Sequence, residues 1–426
     1  MTTNELTTDS VNQRHQFARR VVAGSAILLI AATKPLWFSM GEFPQIPFFE
    51  FLCGVPQWCD WLLSVALLIS LLVMLITKVD SRQNRLAGAG TIALTIVLIA
   101  LNQHRLQPWA WFLILATLAT SADATSALKW MRWLVFGVYF FSGLSKAEPT
   151  FVNGGGNWLL DGLLQPFGQN HTMFARETRR LLIYLMPVGE IVAAFCVIVP
   201  RLRFVGFFLV LAMHGALLLA LGPLGLNHKP GVLLWNFEFQ LLAFPLLWNA
   251  AHITSQVKTA ESKLAGSLVV LGAIVLPCLG QRWLPIVDQW PSWSVYATWA
   301  RSENPVEVVI RSDSSDVRIP TTAFGFFDYH RVDLDQWSLE ATGAPFYPSR
   351  RFRFGVARGL LQFTGFKNSM VPMNQFTSAD PTAPLVITDS GGRTIDEAAS
   401  AFALNTKPRV VEPWVLADPP EGEYLQ

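Results

Sequence analysis

The chain contains repeated apolar runs, each roughly 15 to 20 residues long, and this pattern restricts its fold more than any other feature. A helix needs about 20 mainly apolar residues to cross about 30 Å of hydrocarbon, so the runs have the length of membrane spans. Only 15% of the residues are charged, whereas soluble proteins carry about 25%. We therefore predict an all-α polytopic membrane helix bundle.

Nine apolar runs follow a polar segment at residues 1–20, and they assign residues 21–283 to the bundle. The third and fourth runs are short and are joined by a tight polar turn, so eight spans remain an alternative. The runs lie near residues 21–40, 60–77, 87–102, 107–121, 131–146, 181–199, 204–222, 232–248 and 265–283.

The distribution of Lys and Arg predicts the orientation of the bundle. These residues are concentrated in the segments that face the cytoplasm when the N-terminus lies inside. An odd number of spans then places the C-terminus outside. We expect a multi-pass protein of a bacterial-type inner membrane with the lipid bilayer around it. The net charge of +2 gives no indication of a nucleic-acid partner.

Residues 284–426 have the mixed charges and the Pro and Gly punctuation of a soluble chain. Val306–Arg311 and Val317–Ile319 flank a Ser-rich turn and predict a hairpin. Leu385–Thr388 is a further strand candidate, and Thr394–Leu404 has the apolar spacing of a helix. These patterns predict a small α+β domain outside the membrane.

Two cysteines, Cys53 and Cys59, bracket a short loop with Gly54 and Pro56. If this loop lies outside the cytoplasm, a disulfide between them is one hypothesis. No spacing of Cys, His and carboxylate residues predicts a metal site.

The candidate functional groups are the ionisable residues inside the apolar runs or at their outer ends, together with His104 in the outer turn between the third and fourth runs. Each costs about 2.5 to 3.5 kcal/mol on insertion scales, so each is expected to face a cavity or a partner. In the predicted topology they lie at the midplane or in the outer half of the bundle. They are His104, Lys146, Glu190, His214 and Glu238, with Trp235 and Asn236 just before the last.

The fifth run places Tyr139, Ser142, Gly143 and Lys146 three and four residues apart, so they share one helix face. We predict that this face lines an outer-leaflet polar pocket. The alternative is that Lys146 extends to the headgroups and that His214 is an interhelical hydrogen-bond partner. A buried carboxylate such as Glu190 or Glu238 must be paired or protonated.

Several short motifs together resemble the HTTM (horizontally transferred transmembrane) domain family, which is related to vitamin K-dependent gamma-carboxylase. They are Asn102–Trp109, Tyr139–Lys146, Trp158, His214, Trp235–Asn236 and Trp293–Ala297. The resemblance implies that Lys146 is the base that meets a reduced quinone at the outer side and that His104 assists it. The remaining pocket residues would then contact the cofactor: Tyr139, Ser142, Glu190, His214, Trp235, Asn236 and Glu238.

Two classes of function remain open. The first is a gamma-carboxylase-like enzyme, or a binder of a lipophilic small molecule such as a quinone, whose protein substrate is unknown. The second is a non-enzymatic accessory, immunity or export factor whose buried polar residues are structural. Transport is less favoured, because the polar groups stop in one leaflet and form no path across.

Overall fold

The computed structural model describes most of the N-terminal two thirds of the chain and separate parts of the remainder. The described residues are 8–39, 43–248, 260–281, 287–295, 308–309, 319–320, 327–328, 331–332, 334–363, 402–409 and 416–417.

Most of the described chain is helical. Long helices alternate with short connecting ones, as the repeated apolar runs predict. The helices are α1 Thr8–Ala32, α2 Lys34–Phe38, α3 Trp58–Ile76, α4 Arg82–Leu101, α5 Pro108–Ala119, α6 Ala124–Lys146, α7 Pro149–Asn153, α8 Gly155–Leu164, α9 Arg176–Ile198, α10 Arg203–Leu221, α11 Pro230–Leu247, α12 Ala260–Val270, α13 Leu276–Cys278, α14 Leu334–Thr342 and α15 Arg350–Phe363. A π-helical segment, Leu271–Val275, joins α12 to α13.

Five of the described helices are long and apolar enough to cross a membrane: α3, α4, α9, α10 together with the turn before it, and α11. Their outer faces carry exposed apolar side chains, such as Ile69 on α3, Leu185 on α9 and Phe208 on α10. Exposure of so large an apolar surface to water is unfavourable, whereas the hydrocarbon of a lipid bilayer solvates it. The chain is therefore a multi-pass membrane protein by length and composition.

Helices occur at all nine predicted positions, but nine spans are not confirmed. Helix α5 has 12 residues and is about 18 Å long, too short for about 30 Å of hydrocarbon. The apolar helix Lys263–Cys278 is also shorter than the five candidates. Helices α1 and α6 are long, but they contain the buried cations Arg19 and Arg132. Helix α1 begins at Thr8, inside the segment predicted to be polar.

The chain divides into two units. Unit 1 comprises Met1–Ala32, Val65–Thr95 and Pro108–Trp299. Unit 2 comprises Thr33–Ser64, Ile96–Gln107 and Ala300–Gln426. Unit 2 thus joins the C-terminal residues to two earlier segments, which the predicted boundary at residue 284 did not anticipate.

A buried charge cluster explains why these segments of unit 2 belong together. The Asp60 carboxylate accepts hydrogen bonds from Arg105 Nη1 and from Arg409 Nη1, each at 2.7 Å. All three side chains are fully buried. Backbone hydrogen bonds from Asn405 to Phe48 and from Arg409 to Gln45 continue the contact. One carboxylate therefore links residues that lie 45 and 349 positions away in the chain.

The described strands of unit 2 are only two residues long. They are β1 Val308–Val309, β2 Ile319–Pro320, β3 Phe327–Asp328, β4 Arg331–Val332 and β5 Leu416–Ala417. The antiparallel order is β1-β4-β3 in one sheet and β2-β5 in the other.

The predicted hairpin between Val306–Arg311 and Val317–Ile319 is wrong, because β1 pairs with β4 and β2 pairs with β5. A local turn signal does not identify partners that lie farther along the chain. The predicted strand Leu385–Thr388 lies outside the described residues, and so does most of the predicted helix Thr394–Leu404. The α+β domain is therefore not confirmed. Cys53 and Cys59 are free thiols, so the structure does not contain the hypothesised disulfide.

Candidate functional site

Helix α6 presents the polar face that its sequence predicts. The Asp123 side chain caps the helix by accepting a hydrogen bond from the Ser126 amide. Tyr139, Ser142 and Lys146 are all buried along the same face. Lys146 is the last residue of α6.

Gly143 allows helix α9 to approach this face closely. A Cβ atom at position 143 would lie 2.8 Å from the Pro187 carbonyl oxygen and 3.2 Å from the Glu190 Cβ. Both distances are shorter than an ordinary van der Waals contact, so a larger residue would push the helices apart. The glycine therefore places Glu190 directly beside the polar face of α6.

Lys146 and Glu190 form a buried ion pair. Lys146 Nζ donates to both carboxylate oxygens of Glu190, at 2.6 and 2.8 Å, and to Ser142 Oγ at 2.7 Å. The two side chains are only 5% and 12% exposed. Lys146 therefore points into the unit rather than extending to the headgroups. This geometry is that of an ammonium group bound to a carboxylate, and such charge-assisted hydrogen bonds are stronger than hydrogen bonds between neutral groups.

A second polar group, formed by Tyr139, His214 and Asn236, connects α6 to α10 and α11. Asn236 Nδ2 donates to the Val232 carbonyl at 2.8 Å, which turns Asn236 Oδ1 toward His214 Nδ1, 2.9 Å away. His214 Nδ1 therefore carries the proton, and its Nε2 accepts from the Tyr139 hydroxyl at 2.8 Å. The imidazole is thus neutral and oriented to receive the phenol proton.

Phe239 holds the His214 ring in place. The two rings are stacked, with centroids 5.1 Å apart and planes at 5°. Tyr139 also lies against Phe239, at 5.4 Å between centroids. Three hydrogen bonds and two aromatic contacts thus restrict the Tyr139–His214–Asn236 group to one arrangement.

The ion pair and the Tyr139–His214–Asn236 group belong to a single site in unit 1. Glu190 lies close enough to Tyr139, and Lys146 close enough to His214, for an electrostatic interaction within each of these two pairs. Sequence spacing identified the members on α6. It could not show that α9, α10 and α11 bring their polar residues to the same place. We call these residues the unit 1 site: Tyr139, Ser142, Lys146, Glu190, His214 and Asn236.

Glu238 and Trp235 also lie on α11 but take no part in these contacts. Glu238 is 3% exposed. Neither it nor Trp235 Nε1, which is also buried, has a hydrogen-bond partner among the described residues. Trp235 makes an edge contact with Phe239.

A small apolar cavity lies beside Tyr139 and Phe239. Its volume is about 10 Å³, close to the minimum of roughly 10 to 15 Å³ that a single water requires. A quinone ring does not fit into this cavity while the helices keep their present positions.

His104 lies in unit 2, in the short helical turn Gln103–Arg105. Its Nε2 donates to the Pro345 carbonyl at 3.0 Å, and its ring packs near Phe43 and Phe352. Burial, with the neighbouring Arg105 charge, lowers the pKa of His104 to about 4, although the Pro345 hydrogen bond opposes this shift. Its partners therefore come from unit 2, and a joint role with Lys146 stays a prediction.

The sequence patterns do not predict the buried charge cluster of unit 2. They single out neither Asp60 nor Arg409, and they include Arg105 only within the motif Asn102–Trp109. The available signal was Asp60, a carboxylate in the first turn of an apolar helix. The cluster satisfies both arginine heads almost completely, which indicates a structural role.

Within the described residues, no three His, Cys, Asp or Glu side chains come together as a metal ion would require. Comparison with known proteins finds no matching family model, no similar curated protein and no similar solved structure.

Proposed function

We propose that this protein is an HTTM-type inner-membrane enzyme that uses Lys146 as a base toward a lipophilic hydroquinone. The observation that carries the proposal is the ion pair of Lys146 with Glu190 in the apolar interior of unit 1. A buried ion pair usually contributes little net stability compared with apolar packing. The presence of an ion pair in this apolar interior therefore favours a chemical role. In the proposed topology the N-terminus lies in the cytoplasm and the site lies toward the outer leaflet.

Glu190 gives Lys146 a way to become a neutral base. In the resting protein the two side chains form an ion pair; when substrate binds, a proton that moves from Lys146 Nζ to a Glu190 oxygen leaves a neutral amine and a carboxylic acid. The amine then takes a proton from a hydroquinone hydroxyl. The hydroquinone anion formed in this way passes two electrons to dioxygen. The reduced oxygen takes the second hydroxyl proton and the proton held by Lys146, so the products are quinone and hydrogen peroxide, and Glu190 returns its proton to Lys146.

The Tyr139–His214–Asn236 group supplies a second proton path. His214 Nε2 accepts the phenol proton, and the phenol oxygen can then accept one from a substrate hydroxyl. Because the cavity beside Tyr139 is too small for a ring, binding requires the helices of unit 1 to separate. Such opening is a common step in catalysis.

The test compares hydroquinone oxidation by wild-type and variant protein in liposomes. The double variant Lys146→Met/Glu190→Leu replaces the ion pair with apolar side chains of similar size, so it keeps the packing and removes the base. With reduced naphthoquinone as the probe and quinone absorbance as the readout, we expect wild-type protein to exceed protein-free liposomes and the double variant not to.

Glu177→Gln, an exposed change on the same helix, is the matched control and should keep the wild-type rate. Equal rates for wild-type and the folded double variant would refute the role of Lys146. A wild-type rate equal to that of empty liposomes would refute the enzyme proposal.

The second candidate is a non-enzymatic membrane protein whose polar site only connects helices. It is favoured by the nearly complete hydrogen bonding of the unit 1 site and by the small cavity. In that case the double variant should keep both stability and biological function, and no quinone analogue should raise the melting temperature.

A further inference from the structure

Helix α11 contains a carboxyl group that the proposed chemistry does not use. Glu238 lies two residues after Asn236, in a helix whose length and composition suit a membrane span. It is 3% exposed. Unlike Glu190, it forms no ion pair and accepts no hydrogen bond within the part of the chain that the structure describes.

Helices α1, α6 and α10 make the main contacts with α11, and Phe112 of α5, a helix without ionisable residues, also contacts Phe239. The following ionisable groups on these helices have partners other than Glu238. On α1, Arg14 donates to Trp248, His15 contacts the Thr120 carbonyl and Arg19 donates to Thr120 Oγ1. On α6, Arg132 donates to the Leu246 carbonyl and Lys146 binds Glu190.

On α10, His214 is held by Tyr139 and Asn236. No charge among the described residues compensates the Glu238 carboxylate.

An ionised carboxylate without a partner is very unfavourable in an apolar interior, whereas a neutral carboxylic acid is far less so. A second observation points to the same place. The buried indole N–H of Trp235, one helical turn before Glu238, also has no acceptor among the described residues. Residues three apart lie on neighbouring positions of a helix surface. One face of α11 therefore carries two polar groups that the described chain leaves unpaired.

We propose that Glu238 is a proton-binding site of the membrane helices. Its carboxyl group holds one proton at neutral pH when α11 is packed against its neighbours. The bundle takes up this proton when α11 packs and releases it when α11 separates and water reaches the carboxyl group. This site does not depend on Lys146 and holds whether or not Lys146 is a base.

The test is an infrared difference spectrum of the full-length protein at neutral pH, wild type minus Glu238→Gln. A protonated carboxyl group has a carbonyl-stretch band above the amide I band, whereas a carboxylate absorbs below it. We expect the difference spectrum to show the loss of one protonated-carboxyl band. The loss of a carboxylate band instead would overturn the proposal.

Glu190→Gln is the matched control, because the same chemical change there removes a carboxylate held by Lys146. Its difference spectrum should show the loss of a carboxylate band. Glu238→Gln introduces a neutral group of nearly the same shape, so its melting temperature should stay close to that of the wild type.

A second measurement uses wild-type protein alone, in case Glu238→Gln does not fold. A hydrophobic carbodiimide reacts with protonated carboxyl groups, and peptide mass mapping locates the adduct. We expect the adduct on Glu238 and not on Glu190. An adduct on Glu190 with none on Glu238 would contradict the proposal.

Discussion

Glu190→Gln should destabilise the protein strongly, because it leaves the Lys146 ammonium buried without its counter-charge. Glu190 supplies both acceptor oxygens for Lys146 Nζ, and Ser142 supplies the third contact. Removal of one partner of a buried ion pair costs about 3 to 5 kcal/mol. The Gln amide oxygen can retain one hydrogen bond, so we expect about 3 kcal/mol, the lower end of this range.

This loss corresponds to a melting temperature lowered by roughly 6 to 12 °C, at about 2 to 4 °C per kcal/mol for a unit of this size. Cys196 provides the readout, because it is buried on the same helix as Glu190, after the more exposed thiols of Cys53, Cys59 and Cys278 have been blocked in the folded protein. A thiol-reactive fluorophore will report its exposure as the purified protein is heated in detergent.

Two variants make the experiment decisive. Glu177→Gln makes the same chemical change at an exposed position of α9 and should alter stability by less than about 1 kcal/mol. Lys146→Met/Glu190→Leu removes both charges and should recover most of the loss. If Glu190→Gln melts at the temperature of Glu177→Gln, Lys146 and Glu190 do not form the buried pair.

Three further changes test other parts of the structure. Tyr139→Phe removes the donor to His214 Nε2 and leaves a buried acceptor unpaired, so it should cost about 1 to 3 kcal/mol in thermal unfolding; an unchanged melting temperature would contradict this contact. Gly143→Ala adds a methyl group 2.8 Å from the Pro187 carbonyl and should cost about 1 to 3 kcal/mol, whereas Gly189→Ala, where the added atom meets nothing, should cost much less. His104 has a folded-state pKa of about 4 and an ordinary value of 6.5, so the unfolded chain binds the proton more readily; its contribution, about 3 kcal/mol at most, should be complete above pH 6.5 and lost as the pH falls toward 4. His104→Gln should weaken this pH dependence, and an unchanged profile would refute the assignment.

The positions of the helices follow from the sequence because the apolar runs and the helix period are local properties. The shared face of Tyr139, Ser142 and Lys146 is a consequence of 3.6 residues per turn, and the structure confirms it. The number of spans does not follow so directly. A short apolar run such as α5 shows that a helix forms, but its length alone does not show whether that helix crosses the membrane.

The partners of the polar residues depend on how the helices pack, which local spacing does not determine. The sequence indicated that Glu190 must be paired or protonated, but the choice of Lys146 depends on the close approach of α9 at Gly143. The contact between Asp60 and Arg409 spans 349 positions and has no local signal. The wrong hairpin has the same origin, since β1 and β2 pair with the more distant strands β4 and β5.

An electron cryo-microscopy map of the protein in lipid nanodiscs will show directly whether Lys146, Glu190, Tyr139 and His214 form one buried site between the helices of unit 1. We expect Lys146 Nζ within 2.8 Å of the Glu190 carboxylate and the Tyr139 hydroxyl 2.8 Å from His214 Nε2. A map in which the Lys146 side chain extends into the lipid headgroups, away from Glu190, would contradict this expectation.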